Sequence, residues 1–253
     1  MKTRTLCCLA AVASAACGSS PAAPSAFTEF ALGVGPVTDA YEYRYAPNDT
    51  VDVQWQETYH RWAVEALNVT VPRRIGYNKY QSRAHMESLI GVGNTNGFAN
   101  ADTFEIHTIW PRDYHEVVHL YSSAFGRPVA LWSEGLAVAF QTDPAAGNLV
   151  PRWSGVALDD HARRFRADGR LIPIAELLTT PGFRRFDPNI TYPEAGSFMR
   201  FILDTCGLAS VKRFFGAGTV EDSAASVAAQ FEAACGRSIG STEQAWLDKL
   251  ESR

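Results

Sequence analysis

The order of hydrophobic patterns along the chain predicts an α+β fold: a small N-terminal mixed sheet packed on one central helix, then a mainly helical C-terminal part. Three observations carry this expectation. Short β-favouring runs occur before residue 110, and helical spacing of apolar residues dominates after it. Composition stays uniform from about residue 38 to residue 253 with no second linker, giving one domain of slightly over 200 residues, ample for a core.

The elements come in this order. Gln54 to Leu67 places Trp55, Tyr59, Trp62, Ala63 and Ala66 near helical spacing. Arg74 to Tyr80 reads as a short strand and Ser82 to Leu89 as a short helix capped by Ser82. Gly91, Gly93 and Gly97 interrupt the chain before a second strand, Thr103 to Ile109. A central helix runs through Tyr114 to Tyr121, with Asp113 as its N-cap and Gly126 as its stop, and another carries Leu131, Trp132, Leu136, Val138 and Phe140. Asp159 to Ala167, Ile174 to Leu178, Pro193 to Cys206, Ala209 to Phe215, Ser223 to Cys235 and Thr242 to Leu250 complete the helical part. Gly207, Gly216, Gly218 and Gly236 punctuate them.

Residues 1–16 stand apart from the fold as a signal peptide. Lys2 and Arg4 precede an eleven-residue apolar run, Leu6 to Ala16, which is too short to span a bilayer. The run ends in Ser14-Ala15-Ala16-Cys17, which resembles the lipobox of a bacterial lipoprotein, although Ser14 stands where leucine is usual. That resemblance implies cleavage before Cys17 and acylation of its thiol; an ordinary signal-peptidase cut after Ala15 is the alternative. Residues 17–37 then form the lipidated cysteine and a flexible tether rich in Gly, Ser, Pro and Ala, and 38–253 the domain. The protein is therefore expected outside the cytoplasm, as a membrane-anchored envelope lipoprotein. Gly18 lacks the aspartate that often retains such proteins in an inner membrane, which points by analogy to the outer one.

Cysteine arithmetic agrees with an acylated Cys17. Cys7 and Cys8 leave with the signal, so Cys206 and Cys235 remain as an even pair able to form one disulfide. Closing that loop of about 30 residues would stabilise the C-terminal region by roughly 3–4 kcal/mol; two independently buried thiols are the alternative. A net charge of −4 with scattered basic residues gives no nucleic-acid footprint. No internal repeat and no second apolar run of membrane-spanning length occurs, and a monomer is expected.

The chemistry concentrates in His115-Glu116-Val117-Val118-His119 and, fifteen residues on, Glu134 within Trp132-Ser133-Glu134-Gly135-Leu136-Ala137. Histidines four apart lie one above the other on a helix face, so both imidazoles reach one ion. Glu116 projects beside them, where it can take a proton from a metal-activated water. A third ligand from a second helix leaves a tetrahedral zinc one open position, which distinguishes a catalytic from a structural site. A bare H-E-x-x-H also arises by chance, as a satisfied histidine pair. Against that, Glu134 lies amid apolar residues where an unpaired charge is costly.

Taken together, these two motifs resemble those of gluzincin metallopeptidases, and the compact arrangement looks like the peptidase-MA-like group, a zincin-like fold. The resemblance implies one zinc ion per chain on His115, His119 and Glu134, with Glu116 as general base for peptide-bond hydrolysis. It also implies that Tyr192, ahead of Pro193-Glu194-Ala195-Gly196-Ser197-Phe198, hydrogen-bonds the oxyanion of the tetrahedral intermediate. An aromatic staple before a proline at the first helical position is the plainer reading of Tyr192. His107 and His161 have weaker claims.

The aminopeptidase branch of this group carries a G-x-M-E-N-like stretch whose glutamate grips the substrate's amine. The counterpart here, Gly97-Phe98-Ala99-Asn100, has no acid, which points to endopeptidase action on a peptide or protein substrate. By fold analogy, Thr103 to Ile109 would be the edge strand that receives an extended peptide. Two other readings stand beside this one: a catalytically inactive zinc- or peptide-binding envelope lipoprotein, and a structural lipoprotein with an incidental histidine pair. Glu116 speaks against the first, since binding needs no base, and Glu134 against the second.

Overall fold

The computed structural model describes residues 32–252, so the signal segment, Cys17 and most of the tether lie outside the described residues. The architecture is the expected α+β one. A five-stranded mixed sheet comes first, and helices dominate the remainder of the chain. The sheet comprises β1 (Gly33–Val37), β2 (Tyr41–Tyr45), β3 (Ile75–Lys79), β4 (Gly97–Asn100) and β5 (Glu105–Thr108), in the order β1-β2-β3-β5-β4. β2, β3 and β5 run parallel, while β1 and β4 close the two edges antiparallel.

Two expectations change here. Residues 33–37, expected at the end of the tether, pair with β2, so the sheet begins before residue 38. Thr103 to Ile109 contains β5 but is not the edge: β5 lies between β3 and β4, and the edge strand is Gly97–Asn100. Every residue of β3 is buried, as befits a strand covered on both faces. Tyr41, Tyr43 and Tyr77 fill one face with ring centroids 5.3–6.1 Å apart.

Helix α1 (Val53–Leu67) starts where the Asp52 carboxylate accepts from the Trp55 amide and ends at Asn68, left-handed at φ 47°. α2 (Arg83–Ile90) is capped by Ser82 as expected. α3 (His115–Ser122) is held at its start by Asp113, whose Oδ1 accepts from the Glu116 amide at 2.8 Å. Gln56 of α1 fixes the same point: its amide donates to the Asp113 carbonyl at 2.9 Å and accepts from the Asp113 N–H at 3.1 Å. That reciprocal pair sets the angle at which the site helix leaves the sheet.

Nine of the ten residues of α4 (Ala130–Ala139) are buried. Two short strands, β6 (Arg152–Trp153) and β7 (Val156–Ala157), form a hairpin before α5 (Leu158–Ala167), α6 (Ile174–Leu177) and α7 (Thr180–Arg184). α8 (Pro188–Cys206) begins five residues before the expected start, with Asp187 as its cap and Pro188 in its first turn. Pro193 therefore lies inside the helix, and Tyr192 is a helical residue rather than a staple ahead of one. α9 (Leu208–Ala217), α10 (Ala224–Cys235) and α11 (Ile239–Glu251) finish the fold.

Helices α4 and α8 touch through glycine. A Cβ on Gly135 would sit 2.9 Å from the Ala195 carbonyl oxygen, and one on Gly196 would sit 2.4 Å from Val138 Cγ1. Only bare backbone permits so close a crossing, which gives Gly135 of the Trp-x-Glu-Gly segment a physical reason. Trp132 anchors the same region among Phe198, Phe214 and Phe231, at centroid distances of 5.0–6.4 Å. Ser197 links α11 to α5 by accepting from Trp246 Nε1 at 3.0 Å and donating to Asp159 at 2.8 Å.

Cys206 and Cys235 end α8 and α10 as neighbours, but as free thiols; the expected bridge is not formed in this structure. Burial and the adjacent Cys206 thiol push Cys235 up to about 12. Among the described residues no helix is long and apolar enough to cross a membrane.

Candidate metal centre and active site

One turn of α3 brings His115 and His119 onto the same side, and α4 delivers Glu134 against them. The three ligand-type atoms form a near-equilateral triangle. His115 Nε2 and His119 Nε2 are 3.1 Å apart, and Glu134 Oε2 is 3.2 Å from the first and 3.1 Å from the second. Tetrahedral zinc with bonds of about 2.0–2.1 Å requires donor separations of about 3.3 Å, so the triangle is close to the size a zinc ion needs.

The donor set fits a cation in its chemistry as well. Two imidazole nitrogens and a carboxylate oxygen converge on one point, and these three residues form the His/Glu cluster capable of coordinating an ion among the described residues. Burial acts to raise the Glu134 pKa, but His119 and the hydrogen bonds from both histidines hold it well below the usual carboxylate range. Burial likewise disfavours charged His119, yet Glu134 outweighs it and raises the imidazole to about 9. The site stabilises positive charge beside Glu134.

Each ligand is also supported from behind. His115 Nδ1 meets the side-chain amide of Gln141 at 2.8 Å, and His119 Nδ1 meets Ser133 Oγ at 3.2 Å. The amide nitrogen and oxygen of Gln141 exchange by a flip, so this contact can accept from Nδ1–H and leave Nε2 free for a metal. Arg184, at the end of α7, donates to the outer oxygen of Glu134 at 3.0 Å.

Glu116 lines the same cleft as the triad. Its carboxylate accepts no hydrogen bond among the described residues, and burial pushes it up to about 7 against the lowering influence of His115 and His119. Tyr192 stacks on His115, with ring centroids 6.1 Å apart and planes 26° from parallel, and packs against Trp153 and Phe183. Burial raises its hydroxyl to about 12, so the phenol stays protonated as a donor at neutral pH.

All of these groups line a cleft of about 1260 Å³, bordered by edge strand β4, Trp110, Trp153 and Arg184. Apart from Glu116, its carboxylates have partners or belong to the triad: Asp102 accepts from Arg127 at 3.1 Å, and Asp113 accepts from the Glu116 amide at the start of α3. His107 and His161 do not reach it. His107 is stacked on Phe98 at 4.6 Å and meets Tyr80 Oη at 2.8 Å, while His161 Nε2 meets the Trp153 carbonyl oxygen at 2.9 Å. His161 thus anchors the hairpin that carries Trp153.

Sequence reasoning located the triad, Glu116 and Tyr192 but missed Gln141, Ser133 and Arg184. Gln141 stands seven residues after Glu134, two helical turns on, and Ser133 is its direct neighbour; both were open to inspection. Arg184 lies fifty residues away from its partner, with no spacing rule to connect them. The site matches a gluzincin-like H-E-x-x-H plus glutamate arrangement. Comparison with protein-family models and with curated proteins finds no match.

Proposed function

We propose that this protein is a zinc-dependent peptidase that cleaves within peptide or protein chains. The observation that carries the reading is the triangle of His115, His119 and Glu134 with the unpaired Glu116 carboxylate beside it, at the wall of a cleft. A zinc ion bound there supplies Lewis acidity, polarising a carbonyl and lowering the pKa of water.

The chain's own residues supply the rest. Glu116 takes the proton that the attacking water loses and returns it to the leaving amine as the C–N bond breaks. Its burial suits the task, since a carboxylate raised toward neutrality both accepts and releases a proton readily. Tyr192 donates its O–H to the carbonyl oxygen as charge develops on it. β4, which among the described residues pairs only with β5, offers its other edge to an extended substrate along the cleft. Apart from Glu116, which the mechanism assigns as the base, the lining carboxylates have partners or belong to the triad, which leaves no separate acid for a substrate's free amine and favours internal cleavage.

The inactive zinc-binding alternative would keep the triad without needing Glu116. Export and a lipid anchor on Cys17 belong to the same proposal: Cys17→Ser should release the protein into the soluble envelope fraction or stall its processing, whereas an unacylated, fully soluble parent would exclude the anchor. The decisive experiment compares the parent with Glu116→Gln for zinc content, melting temperature and hydrolysis of a denatured protein, with and without chelator. The variant should keep zinc and stability and lose about two to four orders of magnitude in rate. A folded, zinc-loaded variant cleaving at the parent rate would end the proposed mechanism.

A further inference from the structure

Among the groups around the triad, Arg184 is the one whose placement the proposed chemistry leaves unexplained. It is the last residue of α7, its side chain is 57% exposed, and one of its nitrogens is spent on Glu134 Oε1 at 3.0 Å. The Glu134 side chain is only 9% exposed, and its two oxygens face different partners. Oε2 meets both histidine nitrogens, and Oε1 meets Arg184. Tyr192 lies against the same guanidinium.

We propose that Arg184 is a positioning residue that pins the outer oxygen of Glu134, so that this carboxylate offers the metal one oxygen and not two. A carboxylate can bind an ion through either one or both oxygens, and rotation about its last bond interconverts the two modes. In a catalytic site the difference matters. A second oxygen from Glu134 would occupy the position that a reacting group must take. Arg184 opposes that rotation with a charge-assisted hydrogen bond, which a neutral donor would hold less firmly.

A purely charge-balancing arginine would make different demands. Neutralising Glu134 needs only a nearby cation, and a metal ion on the triad would itself supply that charge. Pinning one named oxygen needs direction, and the planar guanidinium has it where a lysine ammonium does not. The half-exposed setting also means that substitution at 184 removes little packing, so folding of the variants is not at stake.

The role rests on the metal-centre reading, and the test separates the two. Cobalt(II) would replace zinc in the parent, Arg184→Met and Arg184→Lys, and visible absorption would report coordination number while competition with a chromophoric chelator reports affinity. The parent should show the intense spectrum of a four-coordinate ion. Arg184→Met should show the weaker spectrum of a higher-coordinate one, with a change of about 10- to 100-fold in affinity or rate, the usual size for a residue supporting a ligand. Free guanidinium ion added to Arg184→Met should restore the parent spectrum, and Arg184→Lys should restore it only in part. Identical spectra and affinities in parent and Arg184→Met would overturn the role of Arg184 while leaving the metal centre intact. Full recovery in Arg184→Lys would reduce Arg184 to charge balance and overturn it too. A parent that binds neither cobalt nor zinc would remove both proposals.

Discussion

The backbone of Gly97 lies directly against the side chain of Glu116: a Cβ at position 97 would sit 3.1 Å from Glu116 Cγ and 3.2 Å from its Oε1. The same Cβ would stand 3.0 Å from the His107 carbonyl oxygen, a backbone atom that cannot turn aside. Edge strand β4 therefore forms one wall of the space in which the proposed base moves.

Gly97→Ala is the direct probe of that wall. The added methyl can be accommodated only by displacing Glu116 or the β4–β5 pairing, at a cost of about 1–3 kcal/mol if the strand yields. Zinc content should stay at the parent level, because the triad lies on α3 and α4. Hydrolysis should fall by at least tenfold through kcat, a small loss for a misplaced reacting group. Unchanged kcat at full metal loading would show that the contact does not position Glu116.

Glu134 and Tyr192 should separate cleanly in a second experiment. Glu134→Ala removes one of three donors and should sharply lower zinc retention from about one ion per chain. Tyr192→Phe keeps the ring that stacks on His115 and should retain the zinc, while losing the hydroxyl costs about 10²–10³ in kcat if it donates to the oxyanion. Metal analysis and turnover on the same preparations decide it. Equal zinc binding by Glu134→Ala would mean that the third ligand lies elsewhere, and an unaltered Tyr192→Phe rate would return Tyr192 to a packing role.

Much of this arrangement is legible in the sequence because its parts are local. H-E-x-x-H needs only one helical turn, and the Asp113 and Ser82 caps work within three residues. The elements that escaped are those that exist through pairing. Gly33–Val37 reads locally as linker because of its glycines and Pro36, and becomes a strand only beside β2. Gly97–Asn100 looks like a break for the same reason, yet β5 makes it the edge of the sheet. Tyr41–Tyr45, by contrast, alternates tyrosine with charge and carried a readable strand signal. The helix start at Pro188 was also readable, since Asp187 followed by proline is a strong opening that Pro193 obscured.

Glu194 supplies a prediction away from the metal. Its side chain is fully buried on α8; Oε2 accepts from the Ile172 amide at 3.1 Å, and Oε1 has no partner. Burial pushes its pKa up to about 8, the Ile172 hydrogen bond opposing and Glu243 adding to the rise. In the unfolded chain a glutamate titrates near 4.3. Below about pH 4 both states hold the proton and burial carries no charge penalty. Between about pH 4.3 and 8 the unfolded chain releases its proton while the native protein keeps it, so stability falls as pH rises through that window. The total is on the order of a few kcal/mol. Glu194→Gln mimics the protonated acid, can still accept from Ile172, and does not titrate. Urea unfolding of both proteins at pH 5 and pH 8 should therefore show the variant gaining on the parent by a few kcal/mol at the higher pH. If the two stabilities change in parallel across that interval, Glu194 is ionised in the native protein at neutral pH and its free oxygen has found a partner.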